Sequence, residues 1–112
     1  MGIDLELHSS RPARSWRKSR STLLRSSYGH GDALADVLGS LRLLGVQGRL
    51  TAADPYGDLL MNEQESAAAL GEIPALRQRC GDARQRAALD DLAAMLEQCA
   101  GTPGSYLWFQ GD

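Results

Sequence analysis

The chain has 112 residues, 43% hydrophobic, 23% charged and only 5% aromatic, with a net charge of −2. That length suits a single domain spanning residues 1–112, and the composition excludes a disordered chain, which combines low hydrophobicity with high net charge. No apolar run approaches the ~20 residues of a membrane-spanning helix, and no charged stretch ahead of an apolar one marks a signal peptide, so a cytoplasmic protein is expected.

Residues 1–8, MGIDLELH, alternate: Ile3, Leu5 and Leu7 on one side, Asp4, Glu6 and His8 on the other. That period of two predicts a half-buried strand. Residues 9–31 follow with Ser, Arg, Pro and Gly and no sustained period, and read as a basic, flexible loop; STLLRSSY within it suggests a short turn of helix. Arg11, Arg14, Arg17, Lys18, Arg20 and Arg25 lie here with no acidic residue between Glu6 and Asp32, so the segment carries +6 and the rest of the chain −8. This asymmetry is the most unusual global property of the sequence.

Asp32 can cap a helix whose apolar face is Leu34, Val37, Leu38, Leu41 and Leu44, ended by Gly45. Next, VQGRLTAADPYGDLLMN reads as a hairpin with arms at residues 48–53 and 58–61. Its DPYG linker has the Asp, Pro and Gly preferences of a type I turn. Asn62 with Glu65 forms a capping box for a helix that Pro74 bends or splits. Asp82 with Gln85 caps a second helix over residues 83–100, with Leu89, Leu92, Met95, Leu96 and Cys99 on one face. SYLWFQ closes the chain as a strand, apolar on both sides. The class is therefore α+β: a small, mostly antiparallel sheet with helices on one face, in the order β-α-β-β-α-α-β.

The residues offer three kinds of chemistry. Asp54 and Asp58 can hold a hard cation, but turn and strand positions account for both, and their spacing lacks the alternate ligands of a calcium loop. YGHGD places His30 ahead of Asp32 as in a catalytic loop, without a G-x-S-x-G nucleophile. Together His30, Asp32, Asp54 and Asp58 support a small metal-dependent or hydrolase-like enzyme as the third reading. The second reading is nucleic-acid binding: Arg11, Arg14, Arg17, Lys18, Arg20 and Arg25 can neutralise phosphates, with Trp16 available for stacking. A pI near 5.6 weighs against it. Cys80 and Cys99 read as reduced structural thiols, since a helix of roughly 25 Å between them far exceeds the ~7 Å Cα reach of a disulfide. No catalytic residue, metal ligand or cofactor is assigned.

DPYGDLLMN (residues 54–62), followed by a leucine-patterned helix, and the C-terminal YLWFQGD (residues 106–112) resemble a set of small uncharacterised bacterial proteins. These carry a DPYGD-type turn ahead of Asn and end in a YLWF-x-GD-like strand. The resemblance covers about residues 50–112 and brings no established activity. It implies a small acidic accessory protein of the immunity or antitoxin kind. The leading expectation is thus a non-enzymatic interaction domain, which binds an unidentified protein or a second copy of itself. Tyr56, Tyr106 and Trp108 are its candidate anchors, because Tyr and Trp dominate interface hot spots.

Overall fold

The structure, a computed structural model, describes residues 2–12, 20–43, 45, 48–53 and 57–111, the side chains of Arg20, Leu41, Arg42 and Thr51 excepted. The chain is α+β. Strands β1 (Ile3–His8), β2 (Leu23–Ser27), β3 (Asp58–Asn62) and β4 (Tyr106–Gly111) form one sheet in the order β2-β1-β4-β3, every pair antiparallel. Helices α1 (Gly31–Leu43), α2 (Glu63–Leu70), α3 (Ile73–Arg77) and α4 (Ala83–Ala100) pack on one side of it.

The alternation in β1 and β4 decides which side. Ile3, Leu5 and Leu7 share a face with Leu107, Phe109 and Met61, and all are at most 2% exposed. The helices meet that face with Leu34, Val37 and Leu38 of α1 and with Leu89, Leu92, Met95, Leu96 and Cys99 of α4, all buried in the same cluster. The β4 strand is central, between β1 and β3, as its two-sided apolar sequence suggested. Gly2 permits a close approach at the start of β1: a Cβ there would stand 2.7 Å from the carbonyl carbon of Gly31 at the head of α1.

Helix boundaries follow local chemistry. Asn62 Oδ1 accepts from Glu65 N–H at 2.8 Å while Glu65 Oε1 accepts from Asn62 N–H at 3.1 Å, closing the capping box. The chain leaves α2 at Gly71, and Pro74 sits in the first turn of α3, so the split falls where its missing N–H costs nothing. Asp82 caps α4 through Gln85 N–H at 2.8 Å. Gly45 has φ +70°, the left-handed value that suits the residue after a helix. Cys80 and Cys99 are free thiols at opposite ends of the α4 region.

Three local expectations are corrected. Residues 48–53 are not a hairpin arm: Leu50–Ala52 is one 3-10 turn. The amides a ladder would use go instead to the Glu72 carboxylate, from Arg49 N–H at 3.0 Å and Leu50 N–H at 3.2 Å. The partner of β3 is β4. Conversely, the stretch read as loop with a helical turn holds strand β2, with a 3-10 turn only at Arg20–Thr22. Asp32 lies inside the first turn of α1, and the His30 carbonyl accepts the first helical bond, from Leu34 N–H at 2.8 Å.

Candidate functional site

The sheet side away from the helices is set out by the register. Ser26, Glu6, Trp108 and Leu60 form one row across the four strands. Leu23, His8, Tyr106 and Asn62 form the next, and Asp4, Gln110 and Asp58 a third. Adjacent strands lie about 4.8 Å apart, so neighbours within a row touch. A bulge opposite the Leu7–His8 step leaves Leu24 as an extra residue on β2. Two consecutive leucines consequently turn outward, Leu23 at 37% and Leu24 at 49% exposure, with Tyr28 beyond them at 53%.

At the centre is a hydrogen-bonded cluster that sequence reading did not find. Glu6 is 5% exposed and His8 1%. His8 Nε2 and Glu6 Oε1 are 2.9 Å apart, and His8 Nδ1 and Thr22 Oγ1 2.8 Å. Tyr28 Oη–H donates to Glu6 Oε2 at 2.5 Å, a short bond of the charge-assisted kind. An ionised carboxylate only accepts, so with Glu6 in that form the Nε2 nitrogen carries a proton. The detectable signal was the Glu-x-His spacing in a strand, which puts both side chains on one face. What sequence could not supply was Thr22 and Tyr28, brought in by β2.

Thr22, His8 and Glu6 stand in the order nucleophile, base, orienter. The set holds His8 and Glu6 almost completely buried, with Thr22 half-buried. It acts as a clamp, tying β1 to β2 and to the turn before it. Trp108 leans on its outer side, with its ring centroid 5.9 Å from that of His8 and the planes at 49°.

Tyr28 carries the clamp's pH response. Burial of the phenol first, and then the hydrogen bond to and charge of Glu6, push its pKa from 10.0 up to about 12. The folded state thus favours the neutral phenol. Its contribution is intact below pH 10 and is lost as the pH rises toward about 12. Because Tyr28 is more than half exposed, solvent screening reduces the effect to about 1 kcal/mol. Absorbance titration at 295 nm is expected to show one late-titrating phenol that disappears in Tyr28→Phe, which also flattens stability above pH 10. A phenol titrating with the others would contradict the bond.

The sequence-selected residues are dispersed. Tyr106 and Trp108 lie on this face, both half-buried; Tyr56 lies outside the described residues. Arg14, Trp16, Arg17, Lys18 and Asp54 also fall outside them, as does the Arg20 side chain. Two cations of the basic segment are engaged internally. Arg25 turns to the helix side and pairs with Asp91 of α4 at 2.8 Å. Arg11 stands with its guanidinium 5.8 Å from the centre of the Tyr106 ring. His30 and Asp32 line a cavity of about 140 Å³ with Gly29, Ala33 and Arg84, and Asp58 is not among its walls. Among the described residues no three His, Cys, Asp or Glu side chains converge on a metal position, and no helix is long and apolar enough to cross a membrane. Of the two free cysteines Cys99 is buried and Cys80 half-buried, and burial pushes the Cys80 thiol pKa up, away from the reactive thiolate.

Compared with known protein families, with curated proteins and with solved structures, the chain finds no match.

Proposed function

We propose that this chain is a non-enzymatic protein-interaction module that docks its partner on the helix-free side of the sheet. The observation that carries this reading is the gathering of Leu23, Leu24, Tyr28, Leu60, Tyr106 and Trp108 on that side. Large aromatic side chains that are half exposed on a rigid strand are pre-organised for contact, and little side-chain entropy is lost when they are covered. The bonds that tie Glu6 and His8 to Thr22 and Tyr28 across β1 and β2 favour a structural use of those groups. An acidic accessory protein that covers a basic one, in the manner of an immunity protein or antitoxin, fits the −8 carried outside the basic segment.

The test is comparative capture from an extract of the source cell. Wild-type chain is expected to recover a partner that Trp108→Ala and Leu24→Asp lose. Leu43→Asp, at a side chain 91% exposed on α1, is expected to retain it. A partner recovered equally by all four would place docking elsewhere. A nucleic acid recovered instead, and released steeply by salt, would move the assignment to the arginine-rich segment.

A further inference from the structure

We infer that β3 pairs edge to edge with the β3 strand of a second copy of the chain, antiparallel about a two-fold axis at Leu60, so that two four-stranded sheets join into one. This contact is separate from the docking proposed above and uses the rim of the sheet rather than its open face.

The register shows which backbone groups β3 leaves for a neighbour. Antiparallel partners alternate between pairs that exchange both hydrogen bonds and pairs that exchange none. Gly111 N–H donates to the Gly57 carbonyl at 2.8 Å, so Gly57, Leu59 and Met61 turn their backbone groups to β4. Asp58, Leu60 and Asn62 then turn theirs outward. The Asn62 amide agrees, since it donates to Glu65 Oε1 at 3.1 Å rather than to β4. That capping box closes one end of the rim, and Leu60 N–H and C=O stand at its middle. Among the described residues no strand lies beyond β3, which ends the order β2-β1-β4-β3.

The polarity of the strand names the occupant. Asp58-Leu59-Leu60-Met61-Asn62 is polar at both ends and apolar between, so it reads the same in both directions. A second copy centred on Leu60 sets Leu60 opposite Leu60, Leu59 opposite Met61 and Asp58 opposite Asn62. The two Leu60 residues exchange both backbone bonds at a Cα spacing of about 5.5 Å. Their side chains extend the Trp108–Leu60 row of the open face across the axis. On the helix side, half-buried Leu59 gains an apolar neighbour. Asn62 Oδ1 is taken by Glu65 N–H, which leaves the Asn62 side-chain N–H₂ to donate to the Asp58 carboxylate of the other copy. The two Asp58 carboxylates stay about 13 Å apart along the strands, more than a Debye length at physiological salt. The opposite rim fits a copy of itself less well. A bulge interrupts β2, and a two-fold pairing centred on that strand sets Arg25 against Arg25.

Analytical ultracentrifugation of the full chain from micromolar to millimolar concentration is expected to show a reversible monomer–dimer equilibrium. Leu60→Lys and Leu60→Glu each place like charges directly across the axis and are expected to weaken it several-fold. Mixed in equal amounts, the two variants are expected to dimerise again, because opposite charges then face each other. Leu24→Asp, on the other rim, is expected to leave the equilibrium unchanged. Amide hydrogen exchange reads the contact without any substitution. Leu60 N–H is expected to exchange several-fold faster on dilution, whereas Leu59 and Met61 N–H, held by β4, do not change. A wild-type chain that stays monomeric at millimolar concentration would overturn the inference. So would Leu60 variants that dimerise like their parent, a mixture no stronger than its components, equal loss in Leu24→Asp, or a Leu60 amide indifferent to dilution.

Discussion

Replacing Glu6 with alanine is expected to lower the unfolding free energy by about 3–5 kcal/mol. The carboxylate accepts from Tyr28 and pairs with His8, and neither His8 nor Glu6 is more than 5% exposed. Truncation leaves the imidazole's Nε2 without its partner in a place water hardly reaches, and a buried polar group left unpaired costs about 1–3 kcal/mol by itself. Glu6→Gln keeps the shape and one acceptor but turns an amide N–H₂ toward a donor, so about half the loss is expected. Tyr28→Phe removes the more exposed bond and costs about 1 kcal/mol. Urea unfolding of the four proteins and of the Glu6/Tyr28 double variant gives the coupling directly. A Glu6→Ala midpoint within the error of wild type would mean that the cluster contributes nothing to the fold. A domain of ordinary stability holds only about 5–15 kcal/mol, so this variant should also begin to melt far below its parent.

Phe109→Ala is expected to cost a similar amount, about 3–5 kcal/mol, for a different reason. Phe109 is 1% exposed, lies opposite Leu5 on one side and Leu59 on the other, and is the largest fully buried side chain on the central strand. Truncation leaves a cavity where β4 meets the helices. The surrounding sheet cannot collapse into it, because both neighbouring ladders hold the backbone in place. Phe109→Leu restores much of the volume and should recover more than half of the loss, whereas Leu43→Ala, on a side chain in solvent, should stay within about 0.5 kcal/mol of wild type. Thermal denaturation followed by circular dichroism separates the three. A small effect at Phe109 would mean that β4 is not the structural centre that the register makes it.

The two experiments probe opposite faces of one sheet, Glu6 on β1 and Phe109 on β4. Phe109 serves the helix side, and Trp108 next to it serves the open side. Trp108 packs against His8 of the clamp, so the proposed docking face borders the clamp. Variants of Glu6 are therefore expected to disturb docking as well as stability. Variants of Phe109 that remain folded should leave docking largely intact.

Sequence by itself determined the elements whose causes are local. The period of two in β1, the capping pairs Asn62–Glu65 and Asp82–Gln85, the break at Gly71–Pro74 and the five-residue apolar stripe of α4 all appear where they were read. Each depends on neighbours within one helical turn or along one strand, so the signal is written in adjacent letters. The class followed from these elements. Tertiary structure alone decided three things. The β2 strand has no pattern of its own and exists because β1 offers it a ladder, a pairing that local propensity does not encode. Residues 50–52 turn where Glu72, more than twenty positions away, takes the amides of Arg49 and Leu50. The alternation of β1 marked Asp4, Glu6 and His8 as facing away from the core, which they do. Whether that side met water or a clamp depended on Thr22 and Tyr28 arriving from another strand. Hydrogen bonds between side chains distant in sequence leave no periodicity to detect, which is why the centre of the candidate site was the part that reading missed.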